Sequence, residues 1–362
     1  MTHPAAPVYG RAAGLLAEVL PAGAVDLDPG PAGDDGTSPC VVVVGSASRD
    51  LEPTDPRGWR LGGGVSYAAL TLARLGVRTG ALVGVDAEAA GAWELDLLRD
   101  AGVEVVPVRL RKAPVFELHQ AADHRAVRCI EPGQPIPVGL VPPAWRRSPA
   151  WLFAPVADEL PDGWAAIPAG ALVALGWQGL LRDLVAGETI GRRPPRPRPI
   201  VERADLVSVS AGDLVPGQEL AEVLAPLRPG ALCTITCGAR GGLALVVRRD
   251  RPRPRACRYQ ALPAVAVDAT GAGDTFLAAL LAARAIPALA GQVPRLGSAL
   301  RFAAAVASIH VMGRGLAGVP TLAVVRRRLG PAGGAPLVDE GLAPDTAPRG
   351  DDPGPVSPGA GA

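Results

Sequence analysis

The sequence predicts an α/β protein with a doubly wound, mostly parallel sheet and a small β lid. Continuous apolar runs at residues 40–45 and 171–176 are typical of strands buried on both faces of a parallel sheet. Segments with helical spacing, such as residues 68–75, alternate with such runs across residues 40–325. Residues 103–130 differ, because charged and apolar residues interleave there, which favours a smaller sheet with a solvated face.

The composition excludes several classes of function. The chain has 362 residues, of which 48% are hydrophobic, enough for a sizeable core. A formal net charge of +1 gives no overall field that would attract nucleic acid or a membrane surface. The longest apolar run, residues 165–181, is broken by Pro168 and by glycines, so it does not predict a membrane span. We therefore expect a cytoplasmic protein that binds neither nucleic acid nor membrane, and we leave a homodimer open.

The sequence divides into three segments. Residues 1–38 mix Pro, Ala, Gly and Asp without a period, which predicts a flexible leader. Residues 39–329 carry the α/β pattern, with lid strands expected within about 50–61 and 103–130. The Pro- and Gly-rich residues 330–362 predict a disordered tail.

The most informative stretch is residues 265–284. A short alternating apolar run there predicts a strand, and the Ala/Leu-rich end predicts a helix. Between them lie Gly271, Ala272 and Gly273, which are small enough to let backbone N–H groups face an anion at the helix start. Asp274 falls in the first helical turn, where a carboxylate suits a base that takes a proton from a hydroxyl. The local chemistry leaves open a simpler role, in which Asp274 only complements the helix dipole.

Two common nucleotide-binding patterns are absent from the sequence. Lys112 is the only lysine, and no G-x-x-x-x-G-K-[ST] pattern occurs, which excludes a P-loop. No G-x-G-x-x-G follows the first predicted strand, which disfavours a dinucleotide-binding dehydrogenase.

The segment D-A-T-G-A-G-D at residues 268–274 resembles the C-terminal signature of the ribokinase-like (PfkB) carbohydrate kinase family. The resemblance implies a ribokinase-like fold, with Asp274 as general base and the backbone of residues 271–273 as an anion hole. It also implies that Asp268 and Thr270 match positions that help to hold a monovalent cation in some members.

The same resemblance extends to an acceptor site. The spacing Gly45-Ser46-x-x-x-Asp50 resembles the family's first substrate strand, in which the Asp binds sugar or polyol hydroxyls. From the residues alone, a loop Asp that caps nearby backbone is the commoner use. A triple glycine before residue 65 resembles a substrate motif, which implies that Gly63 and Gly64 contact the acceptor, although three glycines alone favour only a turn.

Two further segments bear on the acceptor. Glu159 resembles an acidic family position near the substrate, and a role at a helix N-terminus is equally compatible with it. The Gln-Gly-Leu-Leu-Arg segment at residues 178–182 resembles the myo-inositol-kinase-like branch, which implies a polyol or cyclitol substrate. A lid over that substrate would exclude water as a competing phosphoryl acceptor.

The phosphoryl donor site is implied by two patterns. Thr236-x-Gly238-x-x-Gly241 resembles the family's nucleotide loop, whose backbone lies along ATP with the Thr near the phosphates. Asp213 stands where many members have a Glu that is tied to Mg²⁺, and helix capping is an equal alternative for it. The implied cofactors are ATP and Mg²⁺, with a monovalent cation in addition at Asp268 and Thr270.

Together these patterns favour a kinase that moves the γ-phosphate of ATP to a hydroxyl of a small sugar, polyol or cyclitol. One alternative is a nucleoside kinase on the same fold, which needs an aromatic wall for the base, and Tyr67 is its candidate. The other alternative is a non-catalytic sugar-binding regulatory protein.

Overall fold

The computed structural model describes residues 38–121, 124–166, 170–249, 255–286, 289, 296–330, 338–342 and 347–348. The predicted leader lies outside these residues except for its last position. The strands are Val41–Ser46 (β1), Arg49–Leu51 (β2), Trp59–Leu61 (β3), Thr79–Val85 (β4), Glu104–Arg109 (β5), Val115–Ala121 (β6), His124–Glu131 (β7), Ala150–Phe153 (β8), Leu172–Gly176 (β9), Arg182–Asp183 (β10), Gly191–Arg192 (β11), Leu206–Ser210 (β12), Leu232–Thr236 (β13), Gly242–Val246 (β14), Arg255–Tyr259 (β15) and Val338–Leu342 (β16). The α-helices are Gly64–Arg74 (α1), Trp93–Asp100 (α2), Pro199–Arg203 (α3), Leu220–Leu224 (α4), Ala272–Ala285 (α5), Leu296–His310 (α6) and Leu322–Leu329 (α7).

Within the described residues, the large sheet has ten strands in the order β16-β15-β14-β13-β12-β9-β8-β1-β4-β5. The strands from β13 to β5 run parallel to one another. The β14, β15 and β16 strands extend the sheet in antiparallel pairs. The chain runs outward from β1 in one direction to β4 and β5, and then returns to fill the other side from β8 onward.

The two faces of this sheet are covered by two separate apolar clusters. Alternation along β1 sends Val41 and Val43 into one cluster and Val42 and Val44 into the other. The first cluster is formed with α1, α5 and α6, whose Ala-rich faces allow close packing. The second contains α3, α4 and the buried tryptophans Trp145, Trp151, Trp164 and Trp177. The predicted doubly wound, mostly parallel α/β architecture is therefore confirmed.

A second, four-stranded sheet has the order β3-β2-β6-β7. The β2 strand pairs antiparallel with β3 and parallel with β6, and β6 pairs antiparallel with β7. The β5 strand, which the sequence pattern grouped with the lid, instead pairs parallel with β4 at the edge of the large sheet. Its charged residues, Glu104 and Arg109, are tolerated there because both are exposed to solvent. Lys112, in the connection from β5 to β6, pairs with Glu131 at 2.6 Å.

The structure corrects two expectations at the other edge of the large sheet. Residues 265–267, whose apolar alternation predicted a strand, belong to no strand, and Val265 is 84% exposed. Residues 338–342, within the predicted disordered tail, pair with β15 along their whole length. The edge of β15 is therefore occupied by a segment that is distant in sequence, which a local pattern does not reveal.

Among the described residues, no helix combines the length and apolar character that a membrane span requires. All five cysteines are free thiols. This agrees with their scattered spacing in the sequence.

Candidate active site

A crevice is expected at the carboxyl ends of the neighbouring strands β1 and β8. The chain leaves β1 toward β4 and leaves β8 toward β9, and open α/β sheets bind ligands where the strand order reverses in this way. The end of β1 is joined to the loop after β8 by Glu159, which accepts the Ser46 N–H at 2.8 Å. The Gly176 end of β9 lies at the same edge, and a Cβ at that position would be 3.8 Å from Asp274 Oδ1. Asp274 therefore lies at the edge of the sheet where a ligand is expected.

Three consecutive glycines bring the start of α1 against this edge. A Cβ on Gly62 would collide with the Asp50 carboxylate, and a Cβ on Gly64 would lie 2.5 Å from Asp274 Oδ1. Gly63 has φ +91°, and its missing Cβ lets it approach the carbonyl oxygen that ends β1. Two residues of extended chain span about 7 Å, so Asp50 and Asp274 face neighbouring points on one short backbone segment.

The start of α5 forms the predicted turn of small residues. Gly271 has φ +78° and packs directly on the ring of Tyr67, so no side chain fits there. The Ala272 N–H donates to Ala269 O at 3.2 Å, which leaves the next N–H groups of the first turn as candidates for binding an anion. A Cβ on Gly273 would meet no atom within 4 Å, so this position borders open space.

Asp274 follows in the same turn and is partly buried. Burial raises the pKa of its carboxyl to about 6, while the charge of Arg182 lowers it and that of Asp213 raises it further. A carboxylate with a pKa near 6 is ionised at neutral pH and is basic enough to accept a proton from a hydroxyl in a transition state. The local chemistry thus supports more than a helix-dipole role.

The segment Gln178–Leu181 and the adjoining Arg182 act on both carboxylates, because Gln178 binds Asp213 and the Arg182 charge reaches Asp274. Gln178 Nε2 donates to Asp213 Oδ1 at 3.1 Å. Arg182 donates to Val156 O at 3.1 Å, and its guanidinium carbon lies 5.3 Å from the ring centre of Phe116. The sequence pointed to this segment only through its resemblance, without assigning a role to either side chain.

Residues 211–322 match the family model described as pfkB family carbohydrate kinase. The matched residues include the D-A-T-G-A-G-D segment. The resemblance recognised in the D-A-T-G-A-G-D signature is thereby confirmed. A comparison with curated protein sequences gave no significant match.

Solved structures of ribokinase-family proteins share the fold. A pyrophosphate-dependent kinase of the ribokinase family, complexed with a pyrophosphate analogue and myo-inositol, is 21% identical with a TM-score of 0.59 and covers 80% of this chain and 98% of its own. Arabidopsis thaliana ribokinase with ribose and ATP is 20% identical, with a TM-score of 0.56 and coverage of 80% and 97%. A Methanocaldococcus jannaschii nucleoside kinase is 17% identical, with a TM-score of 0.55 and coverage of 80% and 96%. At such identities the likeness establishes the ribokinase fold.

The residues that the sequence assigned to the phosphoryl donor lie at and after the ends of β12 and β13. Ser210 and Thr236 are register partners at the carboxyl ends of these strands, and the Thr236 hydroxyl lies 3.5 Å from Val209 O. Gly238 has φ +55°, which suits the tight turn after β13. Gly241 packs against the backbone of β15, where a Cβ would collide with a carbonyl oxygen, so packing alone requires a glycine there.

Asp213 is the residue that fits the implied Mg²⁺. Mg²⁺ bound with a nucleotide takes one or two carboxylates and otherwise phosphates and water. Asp213 follows β12 beside the donor loop, and its charge reaches Asp274, so a cation between the two carboxylates would be favoured. Among the described residues, no group of three or more His, Cys, Asp or Glu could hold a metal ion. The phosphates of the nucleotide and water would therefore supply the other Mg²⁺ ligands.

The Asp50 carboxylate lies in β2 of the second sheet rather than in a loop after β1. It accepts the Ser48 hydroxyl at 2.7 Å. Burial raises its pKa, and the Ser48 hydrogen bond and the charges of Arg60 and Arg182 oppose that rise. Its placement beside the glycines of α1 agrees with the predicted acceptor role.

The Glu159 carboxylate, which the resemblance placed near the substrate, binds backbone N–H groups of the crevice wall. It is 2% exposed, and both carboxylate oxygens accept backbone N–H groups, from Ser46 at 2.8 Å and from Val156 and Ala157 at 3.0 and 2.8 Å. Burial raises the pKa of this carboxyl, and the hydrogen bonds from the backbone lower it by a smaller amount. Glu159 thus fixes the crevice wall, because its oxygens are used by the backbone.

Asp268 and Thr270, which the resemblance assigned to a monovalent cation, both bind the Arg60 guanidinium. Arg60 Nη1 binds Asp268 Oδ2 at 2.7 Å, and Arg60 Nη2 lies 3.2 Å from Thr270 Oγ1. Burial alone would raise the pKa of Asp268, but the hydrogen bonds from Thr270, Arg60 and Gly315 hold it well below its usual value. A guanidinium therefore stands where a monovalent ion was expected.

Sequence reasoning missed two residues that bind the loop before α5. His310 Nε2 lies 2.7 Å from Thr270 O, and its ring packs edge-on against Tyr67. Arg60 comes from β3, more than two hundred residues before its partner Asp268. The only sequence signal for Arg60 is its alternation with the two apolar residues of β3, Trp59 and Leu61.

Proposed function

We propose that this chain is a kinase that transfers the γ-phosphate of ATP to a hydroxyl group of a small polyol or sugar, with Asp274 as the general base. The proposal depends on one observation. The Asp274 carboxylate lies at the start of α5 and against Gly64, two residues from the glycine that contacts Asp50. A base, an anion-binding turn and a hydroxyl-binding carboxylate then meet at one edge of the sheet.

The residues divide the reaction between them. Asp50 accepts hydrogen bonds from acceptor hydroxyls and orients one of them toward Asp274. Asp274 takes the proton of that hydroxyl. At the same time the hydroxyl oxygen of the acceptor forms a bond to the γ-phosphorus, and the bond from phosphorus to the ADP oxygen breaks. The N–H groups of the first α5 turn donate to the phosphoryl oxygens, on which negative charge is distributed in the transition state.

Asp213, positioned by Gln178, would hold Mg²⁺ through the phosphates and water. When bound, Mg²⁺ supplies neutralisation of the β- and γ-phosphate charge. Arg182 contributes a second positive charge close to Asp50 and Asp274.

The pocket chemistry supports a polyhydroxylated, uncharged acceptor. Carboxylates such as Asp50 accept hydrogen bonds from hydroxyls, and the face of Phe116 is covered by the Arg182 guanidinium rather than open for stacking. Tyr67, the candidate wall for a nucleoside base, is 1% exposed beneath Gly271. We therefore favour a polyol or cyclitol over a nucleoside, and we propose that the second sheet covers this acceptor and excludes water.

The experiment is a coupled assay of phosphate transfer with Mg²⁺–ATP across myo-inositol, other cyclitols, hexoses, ribose and nucleosides. Pyrophosphate is a second donor arm, because one solved relative is pyrophosphate-dependent. We expect the highest kcat/KM with a cyclitol or polyol. Preference for a nucleoside would favour the rival kinase, and transfer from pyrophosphate alone would refute the ATP assignment.

Asp274→Asn tests the base. We expect kcat to fall by about 10²–10⁴-fold, the usual contribution of a general base. Acceptor binding, measured by calorimetry, should be retained. Asp100→Asn, at the exposed end of α2, is the matched control and should retain full activity. Acceptor binding without transfer in the unmodified protein would support the non-catalytic alternative.

A further inference from the structure

Arg60 links the second sheet to the loop that precedes α5. It lies in β3 directly opposite Asp50 of β2, so its backbone belongs to the proposed acceptor side. Its guanidinium reaches the other side, with Nη1 at 2.7 Å from Asp268 Oδ2 and Nη2 at 3.2 Å from Thr270 Oγ1. The fork of the guanidinium thus binds a carboxylate and a hydroxyl at once.

The Asp268 carboxylate is satisfied on both oxygens. Its Oδ1 accepts the Thr270 N–H at 2.9 Å, and its Oδ2 accepts the Gly315 N–H at 3.0 Å in addition to Arg60. The Asp268 side chain is 8% exposed and that of Arg60 is 23% exposed. A buried ionised carboxylate is stabilised by a paired cation, and Arg60 provides one for Asp268.

The loop held in this way carries the anion-binding turn. Thr270 immediately precedes Gly271, and its carbonyl oxygen is bound by His310 Nε2 at 2.7 Å. The Arg60 charge on one side and the His310 ring on the other therefore fix the peptide from which the N–H groups of α5 begin. A shift of that peptide would misdirect the donors of the anion hole.

We propose that Arg60 is a built-in cation for the loop of residues 268–271, so that phosphoryl transfer by this chain needs no added monovalent cation. Arg60 is a positioning residue, because it touches neither the transferred group nor the proposed base. A guanidinium is permanently charged and covalently tethered, so its site stays occupied in any salt. This inference depends on the proposed function for its activity readout only.

The first test compares cations in the unmodified protein. We expect kcat/KM to agree within about twofold in KCl, NaCl and tetramethylammonium chloride at equal ionic strength. Stimulation of fivefold or more by K⁺ over tetramethylammonium would overturn the proposal.

The second test removes the guanidinium. Arg60→Ala should lower kcat by about 10–100-fold, and K⁺ or guanidinium at tens of millimolar should restore part of that loss, whereas tetramethylammonium should not. Arg57→Ala is the matched control. Arg57 lies in the connection that leads into β3, three residues before Arg60, and it pairs with Asp55 and Glu94. Cation rescue of both variants, or of neither, would contradict the assignment.

A third readout needs no activity. The thermal midpoint of Arg60→Ala should rise with K⁺ or guanidinium relative to tetramethylammonium, and that of Arg57→Ala should not. If Arg60→Ala fails to fold, Arg60→Met keeps the side-chain stem and is measured in the same way. An Arg60 variant without a cation-specific shift would refute the built-in cation. Absence of any phosphotransfer, with the shift present, would refute only the proposed function.

Discussion

At the scale of single residues, burial and then the charges of Arg182 and Asp213 set the strength of Asp274 as a base. Burial raises the pKa of the Asp274 carboxyl to about 6, Arg182 lowers it and Asp213 raises it. Because the base works ionised, activity is lost as pH falls through this value. The same carboxyl exposed to water would have a pKa near 4 and would be a weaker base.

We predict that kcat/KM rises with pH to a plateau, with a midpoint near 6 in the free enzyme. Arg182→Gln removes a positive charge that favours the carboxylate, so the midpoint should move upward by roughly 0.5–1 unit. The measurement is a pH–rate profile from pH 5 to 9. Arg192→Gln, at an exposed position of β11, is the control and should leave the midpoint unchanged. A midpoint that ignores Arg182 would show that another group controls the ascending limb.

Some residue roles follow from sequence and others do not. Asp274 and the glycines beside it were predictable, because the signature and the small residues that make the turn are contiguous. Glu159 was assigned to the substrate or to a helix N-terminus, and Asp268 to a cation, because the Ser46 amide and the Arg60 guanidinium that bind them come from distant segments. A carboxylate's partner is a long-range property that one sequence does not display.

At the scale of elements, the α5 turn uses its two glycines for different reasons. Gly271 needs a positive φ and lies against the Tyr67 ring, so its constraint is steric and conformational. Gly273 has an ordinary helical backbone with open space where a Cβ would be. One glycine thus serves the fold, and we infer that the other leaves room for the donor phosphates.

This difference predicts opposite outcomes for two matched substitutions. Gly271→Ala should destabilise the protein by roughly 1–3 kcal/mol, seen as a lower thermal midpoint. Gly273→Ala should change the free energy of unfolding by less than about 1 kcal/mol, since alanine is favoured in helices. Its thermal midpoint should therefore stay close to that of the unmodified protein. Its KM for the donor should nevertheless rise by about 10-fold or more, because the methyl group enters the anion site. If Gly273→Ala binds the donor normally, the anion does not lie at this turn.

At the scale of the whole molecule, the fold was predictable where strands are buried and not where a sheet edge is completed from afar. The apolar run of β1 showed a strand covered on both faces, and the structure gives it a cluster on each side. The strand expected at residues 265–267 does not form, whereas Val338–Leu342, in the predicted tail, pairs with β15. Strand propensity is therefore a weaker guide at edges than in the centre.

We predict that ending the chain after residue 330 lowers the thermal midpoint by several degrees, because β15 loses its hydrogen-bonded neighbour. The exposed edge should also promote association, seen as a larger particle by light scattering. A chain that ends after residue 348 keeps β16 and is the control. Equal stability of the two truncated chains would mean that the β15–β16 pairing contributes nothing measurable.

The single lysine offers a practical consequence of the way the two sheets are joined. The Lys112 side chain is 63% exposed in the connection between them. Amine-reactive labelling would therefore place one fluorophore on this connection, apart from the α-amino group, which titrates lower. The four tryptophans clustered on one face of the large sheet are natural energy-transfer donors to that dye. Changes in transfer efficiency on adding acceptor would report how far the cover moves, without any further engineering.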